Sequence, residues 1–268
     1  MCELFALSAS SAVDVRLSLH ELARHGGETG IHGDGWGAAF LQDRDVALFR
    51  EPTAAARSPW ITCLETHPVR SGAVLAHIRH ATRGAVALEN TQPFVRELWG
   101  RAHVFAHNGD LGSGLIHRPV VAPRYRSIGE TDSEAAFCLL LERLATTVDP
   151  TRTDAAAVIF ETFAAFVREM REHGPANVIY VSGSRLLVHA DRRTQAPGVI
   201  EPPGLWLLER HCGEGAKALV GEGVHVAGRG VDVTLVASVP LTGEPWRPLE
   251  QGSVLELEHG RLRRAEQV

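Results

Sequence analysis

The order of hydrophobic patterns along the chain predicts an α+β fold with helices segregated from sheets. Three observations carry this. Short apolar, strand-like runs dominate the first half. Two long helical patterns sit together in the middle. A succession of strand-like runs separated by turn residues fills the last third. Strands and helices do not alternate one for one, so a βαβ architecture is not expected. The 268 residues suit one large domain or two small ones. The sequence shows no repeat, low-complexity block or clear linker, and the expectation is a single domain over residues 2–268.

Each element has a local reason. CELFALSA at the N-terminus reads as a strand. Val15, Leu17, Leu19, Leu22 and Ala23 have helical spacing over Asp14–Arg24, and Gly26-Gly27 offers a C-cap. A glycine-rich stretch then leads into a strand at about Trp36–Leu41, with a turn at Asp43–Asp45 before Val46–Arg50. Ser58-Pro59 opens a short helix, with serine as N-cap and proline at the first helical position. AVLAHI (Ala73–Ile78) and HVFA (His103–Ala106) read as buried strands. Thr131 and Glu134 form a capping box at the head of a strong helix. A second helix over about Asp154–His173 stops at Gly174-Pro175. NVIYVS, RLLVHA, LWLLER, TLVASV and VLELE follow as strands, with turn signals at Ser182-Gly183, Gly243 and His259-Gly260. Gly221, Gly223, Gly228 and Gly230 match no phosphate-binding motif and read as a flexible connection.

Composition narrows the function. The net charge of −5 and the scattered arginines (Lys217 is the single lysine) argue against a nucleic-acid or membrane-surface binder. No apolar run approaches the roughly 18 residues of a membrane span, and no secretory leader is evident. Cys2, Cys63, Cys138 and Cys212 include no C-x-x-C pair, which points to free thiols in a reducing cytoplasm. No H-E-x-x-H or paired-cysteine motif is present, and a strand would aim His77 and His80 at opposite faces, so no metal site is expected.

Four features carry chemistry. Cys2 follows the initiator methionine. Removal of Met1 would place a free α-amine, with a reference pKa of about 7.7–8.0, on the thiol's own residue, where it can act as base. The alternative is a packing cysteine in the first strand. Arg79, at the end of a strand in AHIRHATRG, suits bidentate capture of a carboxylate or a surface ion pair. In FAHNGD, the Asn108 amide and the Gly109 N–H suit an oxyanion hole, and Asn-Gly equally suits a hairpin turn. Asp132 favours the positive end of a helix, and its carboxylate could also hold a substrate ammonium.

Taken in order, Cys2, GDGWG (Gly33–Gly37), IRHATRG (Ile78–Gly84), ENTQPF (Glu89–Phe94), HNG (His107–Gly109) and GETDSE (Gly129–Glu134) resemble the class II glutamine amidotransferases, and within them the stand-alone YafJ-type branch. The resemblance covers most of the chain. It implies the N-terminal-nucleophile (Ntn-hydrolase) fold, a four-layer αββα sandwich, and hydrolysis of the glutamine side-chain amide to glutamate and ammonia with no cofactor. It implies Cys2 as nucleophile, Asn108 and Gly109 as oxyanion hole, Arg79 and Asp132 as holders of the α-carboxylate and α-ammonium, and Thr82 as a lining of the glutamine pocket. His80, Arg83 and Gln92 depart from the Trp, His and His of synthase-type relatives. The substrate the resemblance implies is glutamine or another γ-glutamyl amide. The ammonia acceptor, a partner enzyme and a homo-oligomer are left open. The competing reading is a non-catalytic module that binds such compounds or docks on a partner.

Overall fold

A computed structural model describes residues 2–17, 33–81, 84–112, 123–196, 198–212, 219–221, 224–227 and 230–268. The strands, in chain order, are β1 (Glu3–Leu17), β2 (Trp36–Gln42), β3 (Asp45–Glu51), β4 (Val69–Ile78), β5 (Phe94–Leu98), β6 (Arg101–Gly109), β7 (Ala176–Ser182), β8 (Arg185–His189), β9 (Arg193–Ala196), β10 (Val199–Glu201), β11 (Trp206–Cys212), β12 (Leu219–Gly221), β13 (Val224–Ala227), β14 (Val231–Ala237), β15 (Arg247–Pro248), β16 (Ser253–Glu258) and β17 (Arg261–Gln267). The helices are α1 (Pro59–Thr66), α2 (Asp132–Thr147) and α3 (Ala155–His173).

Among the described residues the strands form two large antiparallel sheets and a small β9–β10 hairpin. The first sheet runs β15-β11-β14-β1-β4-β2-β3, with β13 also on β1 and β12 on β13. The second runs β17-β16-β8-β7-β6-β5. Alternation along each strand assigns the layers. Leu4, Ala6, Ala39 and Leu75 of the first sheet meet Val104, Ala106, Ile179 and Val188 of the second. The opposite face of the first sheet, with Phe5, Leu7, Phe40 and Val74, is covered by Ile61 and Leu64 of α1. The opposite face of the second, with Phe105, Tyr180 and Leu187, is covered by Phe137, Leu141 and Leu144 of α2 and by Phe160, Phe163 and Val167 of α3. The layers therefore stack α, β, β, α, as expected. Both faces of β4 are covered, which accounts for its continuous apolar run. No helix among the described residues is long and apolar enough to cross a membrane.

Local signals hold where they are short-range. Ser58 Oγ accepts from the Trp60 N–H, with Pro59 opening α1. Thr131 Oγ1 accepts from the Glu134 N–H. The reciprocal arm of the box goes elsewhere. The Glu134 carboxylate accepts from the Ile128 and Gly129 N–H groups (3.1 and 2.7 Å) and pairs with Arg96, so it braces the preceding loop. His259 and Gly260 both have positive φ (51° and 71°), the signature of a type I′ hairpin between β16 and β17.

Two expectations are corrected. The helical pattern at Asp14–Arg24 is a strand as far as Leu17. Asp14 and Val15 pair with Arg70 and Val69 of β4, and Asp14 to Leu17 pair with β13. Val13 and Val15 also fit a two-residue period, and pairing on both flanks decides between the periods. The remainder of that pattern, including Gly26-Gly27, lies outside the described residues. The proposed flexible connection contains two short strands, β12 and β13, with Gly221 inside β12. Gly223 and Gly228 lie outside the described residues. The strands β5 and β17 and the β9–β10 hairpin were not anticipated. In β17, RLRRAEQ is an edge strand with every second residue exposed and little apolar alternation in its sequence to reveal it.

Phe105 and Phe137 stack with ring centroids 5.1 Å apart and no exposed surface, locking β6 to α2. Phe137→Ala is expected to lower the unfolding free energy by about 3–5 kcal/mol, read from urea denaturation.

Candidate active site

The register of β1 on β4 places Glu3 opposite Ile78, which brings Cys2 beside the segment that follows β4. Cys2 is half-buried, and its Sγ accepts from the His80 N–H at 3.2 Å. Burial pushes the thiol pKa up, while the His80 N–H and the Arg79 charge pull it down.

Arg79 is not a surface arginine. It is 3% exposed, and its chain folds around it. Its N–H donates to Gly35 O (2.8 Å), and its guanidinium donates to the carbonyls of Ala85 (3.0 Å), Gly84 (3.3 Å) and Asp34 (3.4 Å). Burial lowers its pKa, opposed by Cys2 and Asp34. Asp34 Oδ2 accepts from the Ala81 N–H (2.8 Å) and lies 3.6 Å from His80 Nδ1. The aspartate of GDGWG thus fixes the loop carrying Arg79 and His80. Sequence reasoning quoted that motif without giving Asp34 this part. Thr82 and Arg83 lie outside the described residues.

ENTQPF joins the neighbouring loops. Asn90 Nδ2 donates to Ala85 O (3.0 Å), and its Oδ1 accepts from the Glu130 N–H (2.8 Å). Gln92 is buried, donates to His107 O (3.1 Å) and accepts from the His107 N–H (2.6 Å). Its amide serves the end of β6 as a neighbouring backbone would.

Asn108 and Gly109 end β6 and pair with Asn177 and Ala176 of β7, so the Asn-Gly pair is not a hairpin turn. Asn108 Nδ2 donates to Cys2 O at 2.7 Å, and the Asn108 carbonyl accepts from Asn177 Nδ2 at 3.1 Å. The Nδ2 group carries two hydrogens, so one bond to Cys2 leaves a second to offer. A Cβ on Gly109 would lie 1.7 Å from Pro175 O, so only glycine lets the two chains approach this closely. Gly174 ends α3 under the same constraint, 1.9 Å from Asp110 O for its own Cβ.

Asp132 is 5% exposed at the head of α2. Its Oδ2 accepts from the Leu111 N–H (2.7 Å) and its Oδ1 from the Ser133 N–H (2.8 Å), which ties the helix to the loop after Gly109. His107 Nε2 faces Pro175 O, so Nε2 donates and Nδ1 accepts from Ser133 Oγ (2.9 Å). The structure therefore joins Cys2 directly to Asn108 and to the segment of Arg79, and ties Asp132 to the same β6 loop. Among the described residues no cluster of His, Cys, Asp and Glu suits a metal ion.

This arrangement sits on the fold of the Ntn-type amidotransferases. Over 99% of its length the chain superposes on 49% of the glutamine phosphoribosylpyrophosphate amidotransferase of B. subtilis, with a TM-score of 0.59 at 15% identity. The chain belongs to the class II glutamine amidotransferases, whose family pattern matches residues 1–268. It is 35% identical over 258 residues to YafJ of Escherichia coli (strain K12), covering 94% of this chain and 95% of that one. It is similar to the crystal structure of a Pseudomonas aeruginosa PA01 protein of the same predicted class, with a TM-score of 0.73, 32% identity and coverage of 97% and 99%.

Buried histidines lie in both sheets, His77 on β4, His103 on β6 and His189 on β8. Burial lowers the pKa of His77 to about 3 and of His103 and His189 to about 4. Among the described residues neither ring nitrogen of His77 has a hydrogen-bond partner. The unfolded chain takes up these protons first, near pH 6.5, while the native state holds the rings neutral. Stability is thus full above about pH 6.5 and falls toward pH 4, by up to about 1.4 kcal/mol per pH unit for each ring. Urea midpoints at pH 7, 6 and 5 should show this loss, and His77→Leu should make it shallower.

Proposed function

We propose that the chain hydrolyses the side-chain amide of glutamine, or of a γ-glutamyl amide, to glutamate and ammonia or an amine through a thioester on Cys2. The observation that best supports this is the contact between Asn108 Nδ2 and Cys2 O at 2.7 Å, which sets an amide donor beside the thiol residue. Removal of Met1 makes the Cys2 α-amine available as base, with a pKa of about 7.7–8.0 when unperturbed. The amine takes the thiol proton, and the thiolate attacks the amide carbon. Charge on the oxygen is met by the Asn108 amide and the Gly109 N–H, each donor worth about 2.7–4 kcal/mol. The protonated amine then gives its proton to the leaving nitrogen, and water hydrolyses the thioester.

Recognition requires only the γ-glutamyl half. The Arg79 fork suits the α-carboxylate, and Asp132 suits the α-ammonium. Both are set by backbone bonds before substrate arrives, which lowers the cost of ordering them. Thr82 is assigned to the same recognition by the family resemblance alone. Released ammonia would pass to an acceptor enzyme. With a γ-glutamyl amide the product is an amine, and no acceptor is needed.

The test is a screen of Met1-processed protein, verified by intact mass, for glutamate release from glutamine and a panel of γ-glutamyl amides. Cys2→Ala should abolish release, and Asn108→Ala should lower kcat by about 10²–10³. Wild-type turnover in Cys2→Ala overturns the mechanism. Saturable glutamine binding without turnover in the processed protein favours the non-catalytic module.

A further inference from the structure

Glu3 and Arg193 form a buried ion pair one residue from Cys2. Arg193 Nη2 lies 2.7 Å from Glu3 Oε1, and each side chain is 6% exposed. Arg193 Nη1 donates to Ser238 O (2.6 Å). Ser238 in turn holds both backbone groups of Leu4: its Oγ accepts from the Leu4 N–H, and its N–H donates to Leu4 O, each at 3.0 Å. Two buried charges are costly to desolvate and are weak devices for stability alone.

The same segment reaches the other half of the site. Asn177 Nδ2 donates to Arg192 O (2.9 Å) as well as to Asn108 O (3.1 Å), and Asn177 Oδ1 accepts from the Asp191 N–H (2.8 Å). Asn108 closes the path by donating to Cys2 O. A circuit therefore runs from Cys2 through Asn108, Asn177, Arg192, Arg193 and Glu3 back to Cys2. It joins the first strand of one sheet to the end of β6 in the other.

We propose that Arg193, gripping Glu3, and Asn177, gripping Asn108, are positioning residues that set the spacing between the Cys2 thiol and the Asn108 amide. This rests on the reading of Cys2 as nucleophile. Once Met1 is gone, Cys2 has a single covalent neighbour, and a terminal residue frays unless tied down. The planar fork of Arg193 ties this segment through two nitrogens held at a fixed spacing, Nη1 on Ser238 O and Nη2 on Glu3, where a lysine offers a single nitrogen. A misplacement near 1 Å at a reacting group costs about 100-fold in rate.

The experiment compares processed wild type, Arg193→Met, the double variant Glu3→Met with Arg193→Met, Arg193→Lys and Asn177→Ala. Arg193→Met alone leaves Glu3 unpaired and should lower Tm. The double variant replaces both charges with apolar groups and should recover Tm. Its kcat should nevertheless stay about tenfold or more below wild type, with KM for glutamine within about twofold. Arg193→Lys, which keeps the charge without the fork, should be folded with a similar kcat loss, and Asn177→Ala likewise. Return of kcat together with Tm in the double variant, or wild-type kcat in a folded Arg193→Lys, overturns the proposal. Hydrogen exchange at Glu3 and Leu4 is measured on the same proteins and should be faster in the variants. Unchanged exchange overturns the proposal even if no γ-glutamyl amide is turned over, and absence of turnover in wild type is the failure of the underlying reading alone.

Discussion

The structure depends on how its first strand is held. β1 is paired along one edge with β4 and along the other with β14 and β13, so the residues after Cys2 lie inside a sheet and not at its margin. Inter-strand bonds fix position along the strand to one residue, since a slip by one would turn Phe5 and Leu7 toward the second sheet and Leu4 and Ala6 away from it. The location of Cys2 follows from this register. The thiol sits at the margin of a rigid element, where its reach is set by packing and not by a loop.

Around that margin the loops are joined mainly by side-chain amides. Asn90 bridges the segment wrapped on Arg79 to the approach of α2, and Asn177 bridges β6 to the segment before β9. An amide can donate and accept at once without bringing charge, which suits a buried position next to ionisable groups. The charges that are present, Arg79, Asp132, Glu3 and Arg193, are each met by backbone groups or by a partner. Pre-ordering of this kind shifts the cost of organisation from substrate binding to folding.

What could be read from the sequence was local or consecutive. Ser58-Pro59 and Thr131 cap helices through bonds two or three residues long, and the structure shows both caps. Cys2, Arg79, Asn108 and Asp132 could be picked out as candidates because each sits in a short run with its own chemical logic, and because the runs come in a fixed order. Contacts over long separations were not legible. Nothing near Glu3 announces a partner 190 residues away, and Asn177 within NVIYVS reads as an ordinary strand residue. Asp14–Leu17 went wrong for a related reason: four residues cannot separate a period of 2 from one of 3.6, and only the strands on either side decide it.

Gln92 has one further consequence. β5 begins at Phe94, opposite Phe105, so β6 runs on past the start of its neighbour toward Gly109. An uncovered stretch of strand is a template on which another extended chain can add itself. The Gln92 amide occupies both the N–H and the C=O of His107 on that flank. That pair of groups is thereby already taken and is not available to an added strand.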